Sequence, residues 1–280
     1  MFGRQKQGAV ICRSCGRLVG SRDARCFHCG ARNPGLWGFA LALRRFGADL
    51  GFTELVIGVC VFLFLVQAVM DPRGAMALMR PSLRTLAVLG ASGKLPVFDL
   101  GRWWTVLSAG WLHAGVLHIF FNLMWIRQLA PLVADGYGAP RMVIVYIVSS
   151  VTGFALSTAV ALSPPIAALL HGGELSVGAS AAIFGLFAAL IYYGRRGGSS
   201  HLSSQIWGLA VLSFVLGFVV DGVDNWAHLG GFLGGYATAR ILDPLKPERL
   251  NHLVLALALL LATAASLLAS VLIPLEALAR

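Results

Sequence analysis

Two groups of residues in this 280-residue chain have types and spacings suited to chemistry. The first is a set of thiols, Cys12-Arg-Ser-Cys15 and Cys26-Phe-His-Cys29, two CxxC pairs separated by ten residues. A CxxC pair forms a tight knuckle, and two knuckles can deliver four thiolates tetrahedrally around Zn²⁺. Gly16 and Gly30 follow the pairs immediately, where each turn must tighten. About thirty residues cannot build an adequate core, so metal would supply the folding energy of this module. The competing reading is a redox dithiol or disulfide pair, which a cytosolic N-terminus disfavours. His28 is a further candidate ligand, although the four cysteines already complete a set. Cys60, alone within an apolar run, reads as a packed residue.

The second group consists of polar side chains inside apolar runs: His113, His118, Asn122, Ser180 and His228. Ionisable residues in a bilayer are costly and point to function by default. His118 and Asn122 are four apart and share one helical face, with donors aimed into the same space. Hydrogen bonds that glue a helix bundle are the plainer reading of either residue alone. Ser180 opens an apolar run, so it falls in a first helical turn, where backbone N–H groups lack partners and the dipole favours negative charge. An oxyanion site therefore lies ready beside its hydroxyl. The plainer reading is a capping or packing serine in the small-residue stripe Gly178, Ala182, Gly185 and Ala189. His228 shares a face with Gly231 and Gly235, and close backbone approach there would bring its imidazole within reach of a neighbouring helix.

Membrane helices must position these residues. The chain is 58% hydrophobic and only 12% charged, more apolar surface than one soluble core can bury beneath a polar skin. Uncharged runs of about the 20 residues needed to span a bilayer predict seven spans: Phe52–Met70, Ala114–Val133, Met142–Leu162, Val177–Gly194, Leu202–Val220, Asn225–Arg240 and Leu253–Leu275. The last reads as a lipid-facing addition to a six-span core. The net charge of +10 does not form one basic face, since nine of the 22 cations precede the first span; nucleic acid is not an expected partner. Arg141, Arg195, Arg196, Lys246 and Arg249 fall in loops that would be cytosolic with the N-terminus inside. The long first loop, with Arg73, Arg80, Arg84, Lys94 and Arg102, runs against that rule, which long loops obey poorly. No cleavable apolar segment opens the chain, so the first span is the expected targeting signal.

With no carboxylate deep in any span, an aspartyl intramembrane protease is excluded, and the absence of His-Glu-x-x-His excludes a zinc protease of that kind. What remains resembles the rhomboid intramembrane serine proteases over roughly residues 51–243. His113-Ala-Gly-Val-Leu-His118-Ile-Phe-Phe-Asn122 is similar to the family's HxxxxHxxxN, Gly178-Ala-Ser180 to the start of its GxSG, and Ala227-His228-Leu-Gly-Gly231-Phe-Leu-Gly-Gly235 to AHxxGxxxG. The resemblance implies a Ser180–His228 dyad without a third acid. His118, Asn122 and the Ser180 backbone N–H would form the oxyanion hole, and His113 would shape the first loop. Two positions depart from the family pattern. Ala181 stands where it has glycine, and Trp104-Thr105 stands where it has Trp-Arg, with Arg102 two residues earlier.

The expected protein is thus an all-α polytopic membrane protein with a small zinc-ribbon-like module (1–35), a linker (36–50), a six-helix rhomboid-like core (51–243) and a seventh C-terminal transmembrane helix (244–280). Its expected function is a serine endopeptidase that cuts transmembrane protein substrates near the outer membrane face, with no catalytic cofactor and structural Zn²⁺ in the N-terminal module. A catalytically inactive rhomboid-like protein that binds membrane clients is the second reading, motivated by Ala181. A channel or transporter lined by histidines is the third, and it lacks repeats and buried carboxylates. The expected location is a prokaryotic plasma membrane, with the N-terminus in the cytosol and a cytosolic partner for its module.

Overall fold

The computed structural model describes residues 8–12, 15–35, 47–172, 175–197, 199–246 and 248–273. Most of the expected linker, and the outermost residues of both expected terminal segments, lie outside the described residues.

The N-terminal module is a short hairpin with β1 (Ala9–Ile11) and β2 (Leu18–Gly20) antiparallel, Ala9 facing Gly20 and Ile11 facing Leu18. Its two knuckles share one turn geometry. Cys12 N–H donates to Arg17 O and Gly16 N–H to Cys12 O; Cys26 N–H donates to Ala31 O and Gly30 N–H to Cys26 O. Gly16 (φ 71°) and Gly30 (φ 73°) both take the left-handed conformation such a turn requires.

Seven long helices follow among the described residues: α1 (Phe52–Met70), α4 (Val116–Tyr137), α5 (Ala139–Val160), α7 (Ser180–Arg196), α8 (Ser200–Leu216), α9 (Asn225–Leu242) and α10 (Leu250–Leu272). The short α2 (Leu83–Leu89) and α3 (Thr105–Ser108) lie in the first loop, and α6 (Pro164–Leu169) precedes α7. A helix stands at each of the seven predicted spans; the first coincides with its expected bounds and the others have ends shifted by a few residues. Four helices, α1, α4, α5 and α10, are long and apolar enough to cross a membrane. The other three are shorter or diluted by Gly, Ser and Asn. α7 has a protein environment instead of a lipid one: Ala181 to Ile191 are all buried, and α4, α5, α8 and α9 pack around it.

Glycines allow α9 to sit deep between two neighbours. A Cβ on Gly231 would strike the Ala181 carbonyl, and one on Gly235 would strike Gly185, both on α7. The adjacent pair faces α5: a Cβ on Gly230 would lie 2.7 Å from Thr152 O, and one on Gly234 would strike the Thr152 hydroxyl. Such close helix contact rests on van der Waals packing, the main adhesive when lipid is as apolar as leucine.

The seventh helix differs from the lipid-facing expectation on one side. Ala256, Thr263, Ser266 and Ser270 form a buried stripe on α10, at the near-heptad spacing of a packing seam. Ser266 Oγ donates to Trp104 O (2.7 Å), and Trp104 Nε1 donates to Ser270 Oγ (3.1 Å). Arg102 lies fully buried, its guanidinium donating to Ala87 O and Val88 O at the end of α2 and to Ser270 O at the end of α10. Two helix C-termini, each carrying partial negative charge, thus solvate one cation, with no carboxylate beside it among the described residues. The first loop is therefore held by Arg102 and Trp104.

Candidate active site

Ser180 is the first residue of α7, and His228 lies in the first turn of α9. Asp224 starts α9 as its N-cap, accepting from Ala227 N–H (3.0 Å) and from the Ser157 hydroxyl of α5. With the two helices pressed together at Gly231, His228 Nε2 reaches to 2.9 Å from Ser180 Oγ. The serine stays partly exposed while the histidine is buried, and the two lie within the hydrogen-bond reach that a nucleophile and base would need. Phe184, one turn beyond Ser180, stacks on the imidazole with ring centroids 4.3 Å apart and planes 17° apart. Asn225 Oδ1 lies 2.9 Å from His228 Nδ1.

His118 is on α4 and approaches the same place. Its Nδ1 accepts the Ala114 N–H (3.2 Å), which assigns the ring proton to Nε2. That nitrogen faces Gly178: a Cβ there would come within 2.6 Å of it. Gly178 itself (φ 126°) is tied to the first loop by its N–H to Ala109 O (3.0 Å). An N–H donor thus lies two residues from Ser180, beside the unpaired first-turn N–H groups of α7. Asn122 differs from the expectation of donors pointing into one space. It is buried on α4, with Nδ2 donating to His118 O (2.8 Å) and Oδ1 without a partner among the described residues. One of its two N–H bonds remains for another acceptor.

His113 is fully buried, with its ring edge-on to His118 at 5.2 Å and neither ring nitrogen hydrogen-bonded among the described residues. Its carbonyl accepts from Gln67 Nε2 of α1 (2.8 Å), anchoring the loop to the bundle. Sequence reasoning missed Gln67, Phe184 and Asn225. The last two were legible as one-turn neighbours of Ser180 and His228; Gln67 had no such signal.

Ala181, the first departure from the family pattern, is accommodated. A Cβ on Gly153 of α5 would lie 2.6 Å from the Ala181 methyl, so the missing side chain at 153 makes room for the one at 181.

At the other end of the chain, Cys12, Cys15, Cys26 and Cys29 gather with all four sulfurs within 4.8 Å of one another. Cys12 and Cys29 Sγ are 3.8 Å apart and Cys15 and Cys26 Sγ 3.7 Å. These separations are far beyond a disulfide of about 2.05 Å and match the roughly 3.8 Å sulfur–sulfur edge of a tetrahedron with Zn–S bonds of about 2.3 Å. Burial raises the Cys26 thiol, but the His28 and Cys29 backbone N–H groups outweigh this and bring it to about 7. His28 stands outside the cluster, its Nδ1 beside Arg17 Nη1 (3.2 Å). Cys60 is buried in the apolar core, as expected.

Arg195 and Arg196 end the helix that Ser180 begins, and Asp243 draws Arg196 (3.6 Å) and Lys246 (3.7 Å) together at that far end. Arg195 and Arg196 and the serine thus lie at opposite ends of α7.

The sequence pattern described as the Rhomboid domain matches residues 100–244, just over half of the chain. The chain is 28% identical over 220 residues to the protein called Rhomboid protease GluP from Bacillus subtilis (strain 168), covering 78% of this chain and 40% of that one. It is 30% identical over 169 residues to RHOMBOID-like protein 4 of Arabidopsis thaliana, covering 59% and 40%. It is 31% identical over 172 residues to Rhomboid-like protease 3 of Toxoplasma gondii, covering 56% and 58%. The match thus spans only 40% to 58% of these relatives' own length.

Proposed function

The chain belongs to the rhomboid family, and from that premise we propose that it is a serine endopeptidase cleaving transmembrane proteins within the bilayer, near the outer face. The observation that carries this reading is the 2.9 Å contact between Ser180 Oγ and His228 Nε2 across two helices. Ser180 Oγ attacks the scissile carbonyl while its proton passes to His228 Nε2. The oxyanion that forms is held by His118 Nε2–H, the free Asn122 N–H and the Ser180 backbone N–H. His228 then gives its proton to the leaving amine, and water hydrolyses the acyl-enzyme by the same exchange. A helical substrate must unwind locally first, because its peptide groups are hydrogen-bonded and sterically closed. Small or helix-breaking residues at the cut site are the expected preference.

The inactive client-binding reading loses its motive, since Gly153 leaves room for Ala181. The test uses full-length chain in proteoliposomes with a model transmembrane substrate and a serine-reactive phosphonate. Wild type should cleave and label, while Ser180→Ala and His228→Ala should do neither. Wild-type protein without Ser180-dependent cleavage or labelling would sink the protease reading, and ion flux persisting in Ser180→Ala would favour transport.

The four cysteines would hold structural Zn²⁺, which cross-links the two knuckles and takes no part in cleavage. The far-end cations Arg195, Arg196 and Lys246 support an orientation with that end and the N-terminus in the cytosol, in a prokaryotic plasma membrane, where the module would meet a cytosolic partner.

A further inference from the structure

We propose that Asn225 is a positioning residue for His228, its side-chain carbonyl holding the imidazole in the tautomer with the proton on Nδ1 so that Nε2 meets Ser180 as a base. The inference rests on the dyad reading above and adds to it a third side chain that the dyad alone leaves out.

Asn225 is the first residue of α9 and is wholly buried. It lies three positions before His228, on the same face of the helix. Its Oδ1 is 2.9 Å from His228 Nδ1. The direction of the amide is fixed by a separate contact: Nδ2 donates to Phe214 O near the end of α8 (3.3 Å). Turned over, the amide would set oxygen against that carbonyl. A carbonyl oxygen only accepts, so Nδ1 must carry a hydrogen, and a neutral imidazole has one N–H. Nε2 is then the nitrogen with the lone pair, and it is the one facing Ser180 Oγ.

The surroundings keep this amide in place. The Asn225 N–H donates to Leu170 O (3.1 Å), so its backbone is anchored to the loop after α6. Gly217, just past α8, leaves the space the amide fills, for a Cβ there would strike Asn225 Oδ1. Phe184 closes one face of the ring. In the opposite tautomer Nε2 would donate to Oγ and have no lone pair to take its proton. As the Ser180 proton moves to Nε2, the imidazolium keeps its Nδ1–H on the same acceptor; the proton then leaves with the amine. An amide sets the tautomer without adding a net charge inside the bundle, where a carboxylate would be costly.

The experiment compares wild type, Asn225→Leu, Asn225→Asp and Gly217→Ala as full-length chains in proteoliposomes. Cleavage kinetics are read together with solid-state NMR of ¹⁵N,¹³C-histidine, the His228 ring being assigned by difference against His228→Gln. Asn225→Leu should lower kcat by roughly 10²-fold with KM little changed and move the ring proton from Nδ1 to Nε2. Gly217→Ala, which displaces the amide without altering Asn225, should move the proton in the same direction. Asn225→Asp keeps the acceptor and should restore the Nδ1 proton and most of kcat. If Asn225→Leu keeps both the Nδ1 proton and kcat, the proposal is overturned. It is equally overturned if Asn225→Asp, which keeps the acceptor, moves the ring proton to Nε2 as Asn225→Leu does. Wild type without Ser180-dependent cleavage would remove the protease reading, while the NMR signal would still decide for or against Asn225.

Discussion

Ala181 and Gly153 face each other beside Ser180, and each explains the other. Gly153→Ala should return the clash, since its Cβ would lie 2.6 Å from the Ala181 methyl and 2.6 Å from Ala227 O. The expected cost is about 1–3 kcal/mol, typical of an overpacked core, with cleavage falling in parallel. Adding Ala181→Gly should recover part of that loss, because the Ala227 carbonyl still obstructs; a double-mutant cycle on thermal unfolding in detergent measures the coupling. Gly178→Ala is expected to be worse for activity than for stability, since φ 126° is strained for alanine and its methyl would push on His118 Nε2. At this scale the reading of Ser180, His118 and His228 came from residue type and position within apolar runs. The pairing across helices did not, because period and spacing describe one helix at a time. Asn122 shows the limit most plainly: its place on the His118 face was legible, but the bond of its amide to the His118 carbonyl was not.

The helices themselves were legible because a bilayer sets their length, and α1 over Phe52–Met70 coincides with the expected span. Ends moved where polar but uncharged Ser and Gly residues blur the boundary, as before α7. The first loop was opaque, since a short helix such as α2 is fixed by its partners and not by its own pattern. Asp71 is one of those partners, accepting from Arg73 N–H (2.9 Å) and Ser82 N–H (2.6 Å) and so joining the end of α1 to the start of α2. Burial would raise its carboxyl, but these backbone donors and the Ser82 and Thr85 hydroxyls overcome that and hold it at about 2. Its folded value lies below the unfolded one of about 3.9, so its stabilisation is complete above that pH and disappears as pH falls through about 2. Asp71→Asn should therefore be less stable than wild type at pH 7, with the gap narrowing between pH 4 and 2 in thermal unfolding. A gap independent of pH would contradict the assignment. Arg102→Lys should cost about 2 kcal/mol, near the value of one lost hydrogen bond to a charged group, because an ammonium cannot reach the ends of both α2 and α10 with a planar fork.

As a whole, the chain is an integral membrane protein of the rhomboid family with a cysteine-built module before its helices. The module has its own small cluster of Val10, Cys12, Val19 and Cys26, too few residues to fold without a cross-link. Chelation should release about one metal ion per chain, counted by elemental analysis, and unfold the hairpin, as should Cys26→Ser. Ser180-dependent labelling by phosphonate should survive in both cases. The bonds between α10 and the first loop reach further. Trp104 and Arg102 hold the segment that leads to His113 and His118, and both are bonded to Ser266 or Ser270 near the end of α10. A ribosome making this chain completes Ser180 and His228 well before it reaches those two serines. The newborn protein should therefore enter the membrane with Ser180 and His228 present but the first loop loosely held, and tighten only when α10 is seated. Chains stopped before Leu250 should insert yet label poorly with the phosphonate, whereas chains that include α10 should label fully.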